Sequence, residues 1–222
     1  MRQREIHAQE LVCEWSPRET VPSGLAAFDA LTGGWRKKDL SMIVGHPGSG
    51  VEDFITEVRT QAALDGYHVP MLDGSESPMP AFVERVRALH DVRKVDMLII
   101  DRVNLLVPAD PRELVSREVE LAVEMRRLAS DLNIHIMMVG LVDVAAIMSR
   151  SDKRPLLSDT FPEEMESTVD LMIALYRDET YHPATNDRGV AELIVLKSRF
   201  CPIQTVKVKA VARPRLFFSD LP

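Results

Sequence analysis

IVGHPGSGVEDF, residues 43–54, is the stretch that decides the fold. An apolar run leads into a turn with three glycines, and a segment with helical apolar spacing begins directly after the turn. A strand, a glycine loop and a helix start are the layout of a phosphate-binding loop, in which backbone N–H groups and the helix N-terminus cradle phosphates. The predicted nucleotide-binding positions are Gly45, Gly48, Ser49, Gly50, Val51 and Glu52.

The loop departs from the working motif at the two positions that act on the nucleotide. A functional loop reads G-x-x-x-x-G-K-[ST], in which the lysine reaches the terminal phosphates and the hydroxyl holds magnesium. Here Val51 and Glu52 follow Gly50. Glu52 and Asp53 fall in the first turn of the predicted helix, where carboxylates complement the helix dipole but repel a triphosphate. The frame of a nucleotide site is present without its lysine and hydroxyl, and a purely structural glycine turn is the alternative.

Composition limits the classes of protein that fit. The 222 residues are enough for one large domain, or for one domain and a short arm. The net charge of −7 argues against a broad basic surface for nucleic acid. Cys13 and Cys201 have no metal-ligand spacing and suit a reducing environment. Because there is no signal-like apolar segment, and no apolar run of the roughly 18 residues that a bilayer requires, we expect a cytoplasmic protein without membrane contact.

Alternating apolar runs and amphipathic segments predict an α/β fold with a mostly parallel sheet flanked by helices. Residues 1–21 are polar and predict an arm or linker, and residues 22–222 predict the domain. Consecutive strand-like runs in the last third predict an antiparallel extension. The predicted strands are 42–44, 69–72, 97–100, 134–139, 169–176, 189–197, 205–211 and 216–218, and the predicted helices are 25–31, 51–64, 79–89 and 111–132.

Two acidic residues follow predicted strands, and ligands of parallel sheets bind beyond the carboxyl ends of strands. Asp101 ends the apolar run DMLIID, which is the pattern of the Walker B aspartate that binds magnesium. Glu76 follows the second strand in DGSESP, where it is placed to polarise an attacking water. An aspartate that only marks a strand end and a solvated loop carboxylate are the respective alternatives.

Three late segments resemble the carboxy-terminal motor domain of DnaB-type replicative DNA helicases. They are DKRPLLSD (152–159), VDLMIALYRDETYH (169–182) and RGVAELIVLKSRFCPIQTVKV (188–208). Earlier segments that also fit are SGLAAFDALTGGWRKKDLSMIVG (23–45), the Walker B run and LASDLNIHIMMVG (128–140), and these are shared with the wider RecA superfamily. The resemblance spans residues 22–220 approximately and implies a RecA-like P-loop NTPase core with an antiparallel C-terminal extension.

The resemblance implies a role for individual residues. Asp101 matches the Walker B aspartate and magnesium ligand, and Glu76 matches the glutamate that activates water. Lys197 and Arg199 match a lysine and an arginine finger that reach the nucleotide of a neighbouring subunit. ATP and Mg²⁺ are implied as cofactors by the resemblance alone, and no cofactor is certain from the residues themselves.

Other positions depart from the family pattern. Besides the substitutions at residues 51 and 52, Leu141 stands where the family has a glutamine that senses the phosphate. The segment between residues 76 and 95 is shorter than in the family, and we expect no counterpart of the family's amino-terminal scaffold domain. In the region of the family's DNA-binding loops, the basic residues are Arg150, Lys153 and Arg154, for which we expect a solvated surface.

Three functions are compatible with these residues. The first is a degenerate, non-hydrolysing helicase-like domain that acts as a binding or regulatory protein in DNA replication or repair. The second is an ATP-dependent DNA motor that recruits a basic residue from elsewhere, and the third is a nucleotide sensor that binds without hydrolysis. The joint loss of lysine, hydroxyl and sensor glutamine favours the first, because phosphoryl transfer depends on positioning and charge neutralisation. The expected partner is a second copy in a head-to-tail oligomer or a replication protein, with weak or absent DNA binding.

Overall fold

The computed structural model describes residues 19–76, 78–106, 114–160, 162–213 and 215–221. The strands are β1 (Thr20–Val21), β2 (Trp35–Arg36), β3 (Leu40–Gly45), β4 (Met71–Asp73), β5 (Met97–Asp101), β6 (His135–Leu141), β7 (Leu171–Tyr176), β8 (Val190–Ser198), β9 (Thr205–Arg213) and β10 (Arg215–Asp220). The α-helices are α1 (Ala26–Thr32), α2 (Val51–Leu64), α3 (Met79–Val92), α4 (Leu114–Leu132), α5 (Val144–Ser149) and α6 (Glu163–Glu166).

An eight-stranded sheet with the order β10-β9-β8-β7-β3-β6-β5-β4 forms the centre of the described residues. The five strands from β4 to β7 in that order run parallel to one another. The last three strands of the chain continue the sheet in antiparallel fashion. The predicted fold, a mostly parallel sheet with an antiparallel C-terminal extension, is therefore confirmed.

Strand β3 shows why helices cover both faces of the sheet. All six of its residues are buried, as expected for the central strand of a parallel sheet. Met42 and Val44 belong to an apolar cluster with α3 and α4, whereas Ile43 belongs to a second cluster with α1 and α2. Because successive side chains of a strand point to opposite faces, this one apolar run contributes side chains to both clusters.

The short elements are the ones that the sequence did not predict. Thr20 and Val21 pair with Arg36 and Trp35 in a separate two-stranded sheet, which uses the last two residues of the predicted arm. Residues 1–18 lie outside the described residues. Helices α5 and α6 are six and four residues long, too short for a periodic apolar pattern to show in the sequence.

Strand β10 contacts α1 and α2, the two helices that cover the second apolar cluster. The Asp220 carboxylate accepts hydrogen bonds from the backbone N–H groups of Ala26 and Ala27 at 2.8 and 2.9 Å. Asp220 thus caps α1 from the far end of the chain, since the residue at the helix's own N-cap makes no such bond. Phe218 also meets Phe54 of α2 edge to face, with ring centroids 5.5 Å apart. The extension therefore fastens both helices to the sheet.

A buried histidine joins β6 to its neighbours. The Nε2 atom of His135 lies 2.7 Å from the Ser41 hydroxyl, and Nδ1 lies 2.9 Å from the carbonyl oxygen of Arg36. A neutral ring satisfies both contacts when Nδ1–H donates to the carbonyl and the hydroxyl donates to Nε2. Burial lowers the pKa of His135 to about 4 from the ordinary 6.5. Protonation is therefore easier in the unfolded chain than in the folded one.

We expect the free energy of unfolding to depend on pH through His135. The contribution of this histidine is fully present above pH 6.5, because both states are then neutral, and is lost as the pH falls towards 4. The loss amounts to roughly 3 kcal/mol, since one pKa unit corresponds to about 1.4 kcal/mol. Urea unfolding between pH 4 and pH 7 measures it. In His135→Gln, the free energy of unfolding should change less between pH 4 and pH 7, whereas the control His68→Gln should keep the full change. An unchanged pH dependence in His135→Gln would contradict the role given to His135.

Candidate functional site

A cleft of about 810 Å³ lies at the carboxyl ends of the parallel strands, beside the glycine loop. Gly45 ends β3 and sits between Leu141 of β6 and Leu175 of β7 in the register of the sheet. The residues that line the cleft are Gly45, His46, Pro47, Gly48, Gly50, Val51, Glu52, Asp53, Thr56, Met71, Asp101, Arg102, Val139, Gly140, Leu141 and Leu216. The cleft therefore brings together the loop, the predicted Walker B position Asp101 and Leu141.

Backbone conformation and packing both require glycine at the start of α2. Gly50 has a φ of 98°, a region that residues with a Cβ rarely adopt. A Cβ at Gly50 would also lie 2.5 Å from Cδ1 of Leu216, so β10 packs directly on the loop. The loop closes on itself as well, because the N–H of Ser49 donates to the carbonyl of His46 at 2.9 Å.

The residue in the lysine position packs back onto the loop. A Cβ at Gly45 would lie 2.5 Å from Cγ2 of Val51 and 2.5 Å from Oγ of Ser49, so these two side chains fill the space beside Gly45. Within the described residues, the buried Ser49 hydroxyl has no hydrogen-bond partner. Val51 therefore contributes apolar contact where the motif has a charged side chain.

The first turn of α2 presents two carboxylates to the cleft. Glu52 and Asp53 both line it, and neither caps the backbone of the helix. In the part of the chain that the structure describes, neither side chain has an ion pair or a hydrogen bond. Their negative charge complements the positive end of the helix dipole, which is the end that binds phosphate in a working loop.

Arg102 places a positive charge beside Asp101, the predicted Walker B position. Asp73 and Asp101 end adjacent parallel strands and face each other in register. The Arg102 guanidinium forms an ion pair with Asp73, and its Nε lies 4.0 Å from Oδ2 of Asp101. Neither Arg102 nor Asp73 was predicted as a site residue, although an arginine directly after the strand-end aspartate is visible in the sequence. The pairing itself depends on the register of β4 and β5.

The structure does not bring every predicted site residue into the cleft. Glu76 follows β4 in a 3₁₀ turn, where its carboxylate pairs with Arg85 of α3, and it is not among the residues that line the cleft. Leu141 does line the cleft, with 63% of its surface exposed. The predicted positions thus divide into a set around the loop and Asp101, and a separate position at Glu76.

The predicted finger residues lie at the opposite end of the sheet. Lys197 is opposite Met172 near the start of β7, and its ammonium donates to the carbonyl of Val169. Burial lowers the pKa of Lys197, and the neighbouring Arg199 lowers it further. The guanidinium of Arg199 lies 3.0 Å from the buried carboxylate of Asp170. Both cations are therefore engaged within their own chain.

The basic residues of the region 143–154 are partly exposed, as expected of a solvated surface, and they also have partners in the fold. Arg150 pairs with Asp159, with Nη1 2.8 Å from Oδ1, and the pair lowers the pKa of that carboxyl. Arg154 forms a two-pronged pair with Glu192 at 2.7 and 2.8 Å. Lys153 donates to the carbonyl of Met148 at 2.8 Å. Arg154 therefore joins this region to β8, whereas Arg150 and Lys153 make contacts within the region itself.

Two further classes of site are absent from the described residues. No group of three or more histidine, cysteine, aspartate or glutamate side chains is arranged to hold a metal ion there. Nor does any helix among them combine the length and apolar character that crossing a membrane requires.

Comparison with known proteins gives the family. Residues 62–218 match the family model described as "DnaB-like helicase C terminal domain". The chain belongs to this family. The replicative DNA helicase DnaB of Haemophilus influenzae is 31% identical over 143 residues, which are 62% of this chain and 30% of that protein. A probable plasmid replicative DNA helicase of Chlamydia psittaci is 28% identical over 155 residues, 68% of this chain and 33% of that protein. The chain thus spans about a third of the length of these curated relatives.

Two solved structures share the fold. A DnaB-like replicative helicase, solved in work on its interactions with primase, superposes with a TM-score of 0.83 at 17% identity, covering 93% of this chain and 63% of that one. A second structure, of an isolated ATPase domain, gives a TM-score of 0.78 at 18% identity and covers 92% of each chain. The predicted resemblance and the RecA-like core are both confirmed.

The packing of β10 on the loop can be measured with two glycine substitutions. Gly50 and Gly66 both have positive φ, but a Cβ at Gly66 meets nothing within 4 Å, whereas one at Gly50 meets Leu216. We expect Gly66→Ala to cost about 1 kcal/mol from backbone strain, and Gly50→Ala to cost about 1–3 kcal/mol more from the clash. Chemical unfolding measures both. In a Leu216→Ala background, Gly50→Ala should lose most of its additional cost in unfolding free energy, because the clashing side chain is gone. Equal costs for Gly50→Ala and Gly66→Ala in the unmodified protein would contradict the contact.

Proposed function

We propose that this DnaB-like domain does not hydrolyse ATP and acts by binding, as a regulatory or structural protein in DNA replication or repair. The observation that carries the proposal is the contact of Arg102 with the carboxylates at the ends of β4 and β5. A guanidinium there occupies the neighbourhood that a magnesium ion needs beside Asp101. The chain's own cation takes the role that a metal ion has in a nucleotide hydrolase.

The residues of the loop also fit a magnesium triphosphate poorly. Glu52 offers a negative charge at the position where a hydroxyl binds magnesium, and Val51 packs on Gly45 in place of a lysine. Glu76 pairs with Arg85 and is not among the residues that line the cleft. Each change alone removes one contribution to phosphoryl transfer, and together they remove the phosphate contact, the metal site and the base. We therefore derive no catalytic step through ATP or Mg²⁺.

The partner that we propose is either a second copy of this chain, in a head-to-tail arrangement, or another replication protein. Support comes from the positions of the charged residues. Lys197 and Arg199 lie at one end of the sheet, and the acidic cleft lies at the other. A head-to-tail contact repeats until it closes into a ring or continues as a filament.

We expect no ATPase activity above background, because the loop lacks the lysine and the hydroxyl. The double variant Val51→Lys/Glu52→Thr should gain about tenfold or more in affinity for MgATP, since a charged hydrogen bond contributes roughly 1.5–3 kcal/mol. Isothermal calorimetry and a coupled phosphate assay measure these quantities. The variant should still fail to turn over while Arg102 remains in place.

The control for this experiment is Asp101→Asn. A magnesium-dependent turnover in the unmodified protein that this substitution abolishes would refute the proposal. The single variant Glu52→Thr separates the removal of repulsion from the gain of a lysine contact, because it leaves Val51 unchanged.

Binding to DNA should be weak at physiological salt. Non-specific affinity comes mainly from Lys and Arg contacts to phosphate. In this protein Arg150 and Arg154 are paired with Asp159 and Glu192, and the net charge is −7. Fluorescence anisotropy with labelled single strands across a salt series measures the affinity. We expect dissociation constants well above micromolar, and a submicromolar, salt-sensitive affinity would contradict the prediction.

A further inference from the structure

We propose that the groove between α3 and α4 binds an amphipathic helix of another protein, one whose apolar stripe is flanked by lysine or arginine. The groove has a volume of about 660 Å³ and lies between the first half of α3 and the middle of α4. None of its lining residues lines the cleft beside the glycine loop. The inference is therefore independent of whether that cleft binds or hydrolyses a nucleotide.

The floor of the groove is apolar because of the spacing of residues on the two helices. Met79 and Val83 lie four residues apart on α3, and Val119 and Val123 lie four residues apart on α4. Residues with this spacing share one face of a helix, so each helix contributes a row of two apolar side chains. Val123 is 52% exposed. Two such rows side by side form the kind of surface on which a third helix packs its own row of side chains.

Acidic residues line the groove from both helices. Glu84 belongs to α3, and Glu120 and Glu124 belong to α4. Among the described residues that line the groove, none is basic. Glu120 pairs with Arg117 at 2.9 Å, whereas Glu84 and Glu124 have no basic partner in the described part of the chain. The complementary ligand is therefore apolar along its centre and positively charged along both edges.

These carboxylates disfavour two other classes of partner. Nucleic acids and anionic membrane surfaces present phosphate groups, which the glutamates of the groove would repel. A helix with basic residues on both sides of its apolar stripe meets both requirements of the groove. Its apolar side chains are buried on the floor, and its charges select the orientation and the partner.

The described helices of this chain do not present such a face, which favours another protein over a second copy. The six α-helices contain six arginines and no lysine. Each arginine is already engaged within its own chain: Arg59 with the carbonyl of Val69, Arg85 with Glu76, Arg87 and Arg127 with Asp131, Arg117 with Glu120, and Arg126 with Asp170. Contacts with the groove of a neighbouring copy would have to break these pairs.

The test uses two acetylated, amidated peptides of about 18 residues, long enough to form a helix, with leucines at helical spacing. In one peptide lysine flanks the leucines on both sides, and in the other glutamate replaces every lysine. Titrations of the full chain are followed by amide NMR shifts. We expect saturable binding of the lysine peptide, with the shifts concentrated in α3 and α4. The glutamate peptide should bind at least about tenfold more weakly, because like charges then face each other.

Two valine variants with the same substitution localise the site. Val123→Ser removes apolar surface from the groove, and we expect about a tenfold loss of affinity for the lysine peptide. Val92→Ser is the control, because Val92 is 90% exposed at the end of α3 and does not line the groove. Equal affinities of these two variants would overturn the proposal, and so would equal affinities of the two peptides.

Two variants with the same net charge test the acidic residues. Glu84→Gln/Glu124→Gln should weaken binding of the lysine peptide about threefold to tenfold, as expected for two exposed ion pairs. Asp65→Asn/Asp91→Asn removes two exposed carboxylates away from the groove and should leave the affinity unchanged. An equal effect of the two double variants would overturn the assignment to a basic partner.

The same spectra distinguish this partner from two other occupants. A dimer that forms in concentrated solution and that Val123→Ser dissociates would assign the groove to a second copy. Shifts of the amides of residues 1–18 on Val123→Ser, without any peptide, would assign it to the chain's own N-terminal segment. Either result would overturn the assignment to another protein.

Discussion

The buried carboxylate of Asp170 joins the start of the central strand to a helix and to the residue that follows β8. Its Oδ2 accepts the backbone N–H of Leu40 at 2.9 Å, and the same carboxylate pairs with Arg126 of α4 and with Arg199 after β8. A buried charge without partners is strongly destabilising, commonly by about 3–5 kcal/mol. The start of β3, the helix above it and the end of β8 therefore meet at one point, directly before the start of β7.

This anchor also separates the two charged ends of the molecule. Strand β3 runs for six residues from the anchor at Leu40 to the glycine loop at Gly45, a distance of roughly 17 Å at about 3.3 Å per residue. Lys197 and Arg199 are held at the anchor end by Val169 and Asp170. They cannot reach the cleft of their own chain, so a contact between these cations and such a cleft requires two copies. The proposed head-to-tail arrangement is compatible with this separation of the cations from the cleft.

The sequence predicted those features that depend on local pattern. Helix α2 has the predicted bounds because a glycine with positive φ precedes it and its apolar stripe is regular. The long buried strands were also found, with shifts of at most two residues at their ends. The pairing of Arg102 with Asp73 could not be predicted, because it depends on the register of β4 with β5. The pairing of Glu76 with Arg85 likewise depends on where α3 packs, which the sequence alone does not give.

The glycine loop keeps its shape through contacts that involve no phosphate. Leu216 packs on Gly50, Val51 packs on Gly45, and a backbone hydrogen bond closes the turn at Ser49. These contacts depend on the position of β10 and on backbone conformation, and none of them uses the carboxylates of the cleft. The shape of the cleft and its charge are therefore set by different residues. The charge of the cleft can therefore change without loss of the fold, because fold and function are separable at such a site.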